Sequence, residues 1–396
     1  MTSSLPRILH ITVGLGYGGM EMMLARLIEA DQGAREHWVV GMMDETSPDP
    51  TDSYTQRLTA LGARVFSLGF PRGRPTLRGM LRLWRIFHRC RPSLLSGWNY
   101  HGNLAATLLS LLTIRSVNAV ANVRCSVQLR PNSNLFERAF FALHAHAARY
   151  ASAVIFNSKR SANEHERRGY PGSRLVVIPN GFDVERFRPD PILRDEARRT
   201  FALSDHDIAV GSIGRFHRDK DHATFLRAAV EASRLHSHLV FLVAGAGTEA
   251  ILQDPFLARQ IEEIGTSSVK IMGHVSHMQL LYNALDICVL SSTAEGFPNV
   301  IGEAMACGVP CVSTDVGDAA YIIGDTGLLC PHSDPVCLGK QIVSMAQSNI
   351  SAQGRAARKR IVDKFSMPPI YGQFAQLWAR FSTRSTNRLS AQRGAA

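Results

Sequence analysis

The chain has 396 residues, 45% hydrophobic and 19% charged, with 44 Lys+Arg against 33 Asp+Glu for a formal charge of +11. That length makes two or three domains with full cores, and the composition excludes a disordered or coiled-coil protein. No run of about 18 apolar residues could span a membrane, no secretory signal is expected at the start, and seven cysteines without framework spacing suit a reducing cytosol.

The predicted strands are short apolar runs with helical patterns between them. In the first half they fall at 7–13, 38–43, 64–68, 94–98, 119–123, 153–156 and 175–178. A second series follows at 208–213, 239–244, 269–272, 287–290 and 311–313. Such alternation means α/β domains, each a parallel sheet covered on both faces. Two series give two doubly wound domains, 1–187 and 188–367, joined through IPNGFDVERFRPDP, where Pro, Gly and Asn replace periodicity. A last helix is predicted at about 369–381, and residues 383–396 read as a flexible tail.

The charge belongs to one half. Residues 1–190 hold 24 Lys+Arg and 14 Asp+Glu, a net +10 by difference, and no acid lies between Asp52 and Glu137. In LRGMLRLWRIFHRC, Arg78, Arg82, Arg85 and Arg89 recur at helical spacing, while Met80, Leu83, Trp84 and Phe87 gather on another side. Three readings stand: a solvated basic face, docking on an anionic membrane or phosphorylated lipid, and nucleic-acid binding. No nucleic-acid module or Lys-rich tail accompanies the arginines, so nucleic acid ranks last.

Ligands of doubly wound sheets bind at the carboxyl ends of the strands. The first strand ends in Gly14, Gly16, Gly18 and Gly19, which let backbone amides approach an anion or a sugar. The dinucleotide fingerprint is a weak match, because no acidic residue closes the second strand at the right place; Asp44 lies too far on. In the second domain, Gly214-Arg215-Phe216-His217-Arg218-Asp219-Lys220 puts two cations, Arg215 and Lys220, after a leading strand. They suit a diphosphate, in binding and as charge builds on a leaving group. An ordinary charged surface loop is the alternative.

The most specific passage runs from Ser291 to Gly308. A strand delivers Glu295 into a Gly/Pro turn, Pro298 can open a helix, and Glu303 then sits among apolar helix residues. A buried acid needs a partner, which ribose hydroxyls would supply. The pairs Asp205/Asp207 and Asp219/Asp221 mimic a D-x-D metal motif, but the first precedes its strand and the second encloses Lys220. Cys307 and Cys311 lack a matching Cys/His pair for zinc and read as packing residues. No metal site is expected.

These residues carry a resemblance. Glu295 and Glu303 resemble the E-x7-E motif of retaining glycosyltransferases of family 4, which have the GT-B fold of two Rossmann-like domains facing a cleft. GGME, WNYHGNL, FNS, IPNGFD, GRFHRDK and CGVPCVSTDVGD agree, in the family's order over nearly the whole chain. The resemblance implies that Glu303 holds the ribose of a nucleotide sugar and that Glu295 meets the sugar hydroxyls. Arg215 and Lys220 bind the diphosphate and stabilise it as it leaves, beside Gly214. The turn amides of Gly296, Phe297, Pro298 and Asn299 help to hold the donor, and Gly16 closes over the reacting centre. His101 matches a histidine lining the acceptor side and joins Arg215, Lys220 and Glu295 as a catalytic candidate; Arg124 and Asn103 are further acceptor-side candidates. A segment at 368–382 is expected to pack back on the first domain. Pro298 departs from the small or polar residue usual there.

The expected activity is transfer of a sugar, with retention, from a UDP- or GDP-sugar to a glycan or lipid-linked acceptor, in surface polysaccharide or lipid-linked glycan assembly. No cofactor or nucleic acid is implied. The expected location is the cytoplasm, with the basic half peripheral on the inner membrane face. An epimerase or hydrolase of the same fold is the alternative, or a non-catalytic carbohydrate- or membrane-binding protein. A nicotinamide oxidoreductase is disfavoured by the missing ribose acid.

Overall fold

The computed structural model describes residues 5–16, 18–44, 54–71, 74–114, 116–127 and 133–393, with side chains as far as residue 382. The chain divides into unit 1, Met1–Gly181 with Met367–Ala396, and unit 2, Phe182–Ser366. The boundary lies six residues before the one read from the loop composition, because the Phe182 N–H bonds the Phe365 carbonyl at 2.8 Å. That bond ties the first residue of unit 2 to the end of its last helix.

Unit 1 begins with β1 (Arg7–Thr12), α1 (Gly19–Asp31), β2 (Glu36–Gly41), α2 (Tyr54–Ala60) and β3 (Arg64–Ser67). It continues with α3 (Leu77–Cys90), β4 (Leu94–Trp98), α4 (Asn99–Leu112) and β5 (Asn118–Val123). Then come α5 (Leu135–Ala148), β6 (Ala153–Phe156), α6 (Lys159–Glu166) and β7 (Leu175–Val177). The seven strands are parallel in the order β3-β2-β1-β4-β5-β6-β7. Their near-continuous apolar runs are what a sheet buried on both faces requires.

Unit 2 holds α7 (Pro191–Thr200), β8 (Ile208–Ile213), α8 (His222–Ser233), β9 (Leu239–Ala244), α9 (Pro255–Ile264) and β10 (Val269–Gly273). There follow α10 (Met278–Ala284), β11 (Ile287–Leu290), α11 (Asn299–Ala306), β12 (Cys311–Thr314), α12 (Ala319–Ile323) and β13 (Leu328–Cys330). Helices α13 (Pro335–Ala346) and α14 (Ile350–Phe365) complete it. Six parallel strands run β10-β9-β8-β11-β12-β13. The last of these, three residues long, is the one strand the periodicity did not foretell.

The closing helix α15 (Met367–Arg393) returns to unit 1. Phe374 and Trp378 are fully buried there beside Met23, Leu24 and Leu27 of α1, a burial worth roughly 2–3 kcal/mol for each ring. The tail expected from residue 383 is helical as far as Arg393; residues 394–396 lie outside the described ones.

Candidate active site

In unit 2 the groups singled out by the sequence stand at the carboxyl ends of β8 and β11, paired neighbours in the sheet. After β8 the chain makes one turn of 3-10 helix, Arg218–Lys220, and Asp221 at φ +48° caps α8 by accepting the Thr224 N–H at 3.1 Å. Lys220 is thereby aimed across Gly214, whose missing side chain leaves room for the lysine's methylenes. Its Nζ donates to Glu295 Oε1 at 2.5 Å, and Ser292 Oγ donates to the same oxygen at 2.8 Å. The loops are stitched twice more, by Ser291 Oγ to the Lys220 carbonyl at 2.8 Å and the Thr293 N–H to the Asp219 carbonyl at 2.9 Å. Arg215 is exposed beside them. Gly245, at φ +144°, lets the loop after β9 press on Gly214 and Arg215, where a Cβ would lie 2.1 Å from the Gly214 carbonyl oxygen.

The turn after Glu295 corrects one expectation. Pro298 has no N–H, so of the four turn residues only Gly296, Phe297 and Asn299 have an amide to offer a donor. Pro298 precedes α11 as its N-cap rather than opening it. The Phe297 ring is core, 6.2 Å from Phe182 and 6.0 Å from Phe365 between centroids. The Gly296 carbonyl accepts the Asp318 N–H at 3.0 Å.

Glu303 is 4% exposed, and Tyr282 donates its hydroxyl to Glu303 Oε2 at 3.0 Å. The partner demanded by a buried acid is thus supplied inside the protein, from α10, a contact with no signature in the sequence. Two of the D-x-D aspartates are also spent locally. Asp221 accepts from Thr224 N–H and hydroxyl, and Asp207 accepts the Ser204 N–H at 2.6 Å. Among the described residues no three His, Cys, Asp or Glu side chains gather as metal ligands, and Cys307 and Cys311 are buried free thiols.

In unit 1 the candidates gather at the carboxyl ends of β1, β4 and β5. Gly16 is partly buried in the loop after β1, with open space where a side chain would stand. His101 is exposed in the first turn of α4, its ring 4.7 Å from that of Phe140, and partial burial lowers its pKa. Gly102 beside it allows that turn to touch β1, since a Cβ there would lie 2.2 Å from the Ile11 carbonyl oxygen. Asn103 is placed differently from its acceptor-side expectation. It is 2% exposed and both ends of its amide bond the backbone of Asn122 at 2.9 Å, so it locks α4 to β5. Arg124 follows β5, with its N–H bonded to Asn99 Oδ1 at 3.1 Å and its Nη1 to Asn180 Oδ1 at 2.9 Å. The sequence reading passed over Asn99, a non-glycine residue at φ +55°, and Glu21 of GGME, whose carboxyl burial pushes up to about 7.

Two Rossmann-like parallel-sheet units in one chain define the GT-B class of α/β enzymes. The sequence model for "Glycosyltransferase Family 4" matches residues 17–186, and that for "Glycosyl transferases group 1" matches residues 207–348. The chain belongs to these glycosyltransferases. It is 23% identical to EpsF of Bacillus subtilis, named as a glycosyltransferase, over 91% of this chain and 92% of that one. It is 21% identical to the capsular polysaccharide biosynthesis glycosyltransferase CapM of Staphylococcus aureus, over 79% and 83% respectively. Among solved structures, Anabaena Alr3699/HepE in complex with UDP superposes with a TM-score of 0.79 at 20% identity, covering 94% of this chain and all of that one.

Proposed function

We propose that this glycosyltransferase moves a sugar from a nucleotide-diphosphate sugar to an acceptor hydroxyl with retention at the anomeric carbon, in surface polysaccharide or lipid-linked glycan assembly. The observation that carries the reading is the Lys220–Glu295 pair on stitched loops beside Arg215. Here a cation for a leaving diphosphate and a carboxylate for sugar hydroxyls are held on rigid strand ends. Lys220 and Arg215 neutralise charge as the diphosphate departs, in the part a divalent metal would otherwise take. The departing phosphate then assists attack on the sugar face it leaves. Glu303, held by Tyr282, faces the ribose. Unit 1 supplies the acceptor-side groups Gly16, His101 and Arg124.

Support for the donor class comes from HepE structures described with UDP and with UDP-glucose. Support for the setting comes from CapM and from WaaG, described as involved in lipopolysaccharide biosynthesis and matched with a TM-score of 0.69 at 13% identity over 93% of this chain and 99% of that one. We place the enzyme on the cytoplasmic side, touching the membrane through its basic half. A panel of UDP- and GDP-sugars, with nucleotide release followed with and without membrane lipid extract, tests the reading. Lipid-dependent release with one donor supports transfer; release indifferent to every acceptor makes the protein a hydrolase.

A further inference from the structure

The guanidinium of Arg124 is enclosed, and among the described residues no acid pairs with it. Trp98 covers it at 5.5 Å from the ring centroid and Phe374 at 5.2 Å. Nη1 is satisfied by Asn180 Oδ1. Nε and Nη2 are shut off from solvent and have no hydrogen-bond partner among the described residues. Those two atoms form one edge of the guanidinium, with parallel N–H bonds that match the two oxygens of a phosphate or carboxylate. Burial pulls the pKa down to about 9, and no neighbouring acid opposes it. A group that only braced the fold would be expected to have its buried donors satisfied. Instead the backbone fixes the residue, through the Arg124 N–H to Asn99, while the fork stays unused.

We infer that the Nε/Nη2 edge of Arg124 receives one oxyanion of the acceptor, a phosphate ester or a carboxylate. The inference rests on the transferase reading for the word acceptor alone; the anion site stands or falls by binding. The residue as a whole is intermediate in exposure, but its Nε and Nη2 are closed to solvent, so an anion reaches them only with local opening around the fork. The aromatic faces then make the site selective for a flat, two-oxygen contact over a small hydrated anion.

The test uses the full chain in an Arg215→Ala, Lys220→Ala background, which removes both donor-side phosphate cations, with Arg124→Met and Arg124→Lys added. Thermal midpoints are read against inorganic phosphate, against acetate and against chloride at equal ionic strength. The parent should show a saturable rise with phosphate or acetate and none with chloride; which of the two acts tells phosphate from carboxylate. Arg124→Met should keep or raise the anion-free midpoint and lose the response. Arg124→Lys should need at least tenfold more anion. A parent that does not respond, or an Arg124→Met protein that is less stable yet still responds, overturns the site. In the wild-type background with an active donor, soluble and lipid-linked anionic acceptors separate the sources. Arg124→Met should raise the acceptor KM at least tenfold and leave the donor KM unchanged. Absence of any transfer counts against the transferase reading and leaves the binding result in place.

Discussion

Lys220 Nζ and Glu295 Oε1 lie 2.5 Å apart, joining the loop after β8 to the loop after β11. The pair is partly shielded, with side-chain exposures of 23% and 15%, so solvent screens it less than a surface pair. On the proposed reading, a nucleotide diphosphate entering beside Arg215 would compete with Glu295 for the lysine and free the carboxylate for sugar hydroxyls. Lys220→Ala should therefore lower turnover on the order of 100-fold or more, as loss of one group stabilising a charged leaving group does. Glu295 keeps its Ser292 bond, so the fold should stay intact by circular dichroism. Nucleotide release at the wild-type rate would remove Lys220 from the mechanism.

Tyr282→Phe tests the hidden support of Glu303. Removing the hydroxyl strips a hydrogen bond from a carboxylate that is 4% exposed. Buried acceptors left short of a donor cost about 1–3 kcal/mol. The melting temperature should fall, and nucleotide affinity should fall with it because the carboxylate loses its fixed direction. A stability loss with unaltered nucleotide binding would make Glu303 a core acid only.

Two glycines in unit 1 should separate fold from function. Gly102→Ala drives a methyl toward the Ile11 carbonyl, which is backbone and cannot swing aside. Overpacking of this kind costs about 1–3 kcal/mol and should lower the melting temperature and displace His101. Gly16→Ala meets nothing within 4 Å, so the melting temperature should hold. If a ligand approaches the Gly16 backbone, turnover alone drops; equal activity would make that glycine a loop residue only.

What the sequence made legible follows from its local signals. Strands buried on both faces announce themselves as apolar runs, and helix α3 spans Leu77–Cys90, the segment its arginine spacing marked. Lys220 and Glu295 were readable because each follows a strand, where a doubly wound sheet collects its ligands. Tyr282 beneath Glu303, and Asn122 around Asn103, were not readable. Both contacts join residues 19 or more positions apart through a packing geometry that no spacing encodes. Strand β13 (Leu328–Cys330) was not readable, and α15 outran its polar sequence.

Acid should unfold unit 1 before unit 2. Burial first, then neighbouring positive charge, lowers His144 and His165 to about 4, and burial with the adjacent His37 takes His10 well below 6.5. A histidine kept neutral in the fold binds its proton more readily when unfolded. Its contribution is whole above pH 6.5 and is lost as pH falls toward the folded value, on the order of 3 kcal/mol for a shift to about 4. Asp31 acts lower down. Burial alone would raise it, but hydrogen bonds from His37 and Tyr371 and the charge of Arg35 bring it to about 2 from 3.8. Its share is present above about pH 4 and disappears as pH approaches 2. Unit 2 has one comparable buried histidine, His222. All four tryptophans (Trp38, Trp84, Trp98 and Trp378) belong to unit 1. Tryptophan fluorescence should therefore lose its native signal at a higher pH than far-ultraviolet circular dichroism; coincident transitions would contradict the assignment.

The arginine helix makes the last prediction. At about 100° per residue, α3 shows three stripes. Ile86, Phe87 and Cys90 are buried, whereas Leu77, Met80, Leu81 and Trp84 are 73%, 57%, 47% and 41% exposed. Arg78, Arg82, Arg85 and Arg89 form the third stripe, all exposed. The sequence had grouped Met80 and Trp84 with Phe87; the fold buries Phe87 against the sheet and leaves the other two outside. An exposed apolar stripe edged by arginines suits a helix lying in an anionic interface, where each basic residue adds about 1 kcal/mol at low salt. Binding to vesicles containing phosphatidylglycerol should exceed binding to pure phosphatidylcholine at least tenfold, and should weaken as salt rises. Trp84 is the one half-exposed tryptophan, so its emission should shift to the blue on binding, and Trp84→Ser with Leu81→Ser should abolish attachment. Equal affinity for both vesicles at low salt would leave the +11 as solvated surface charge.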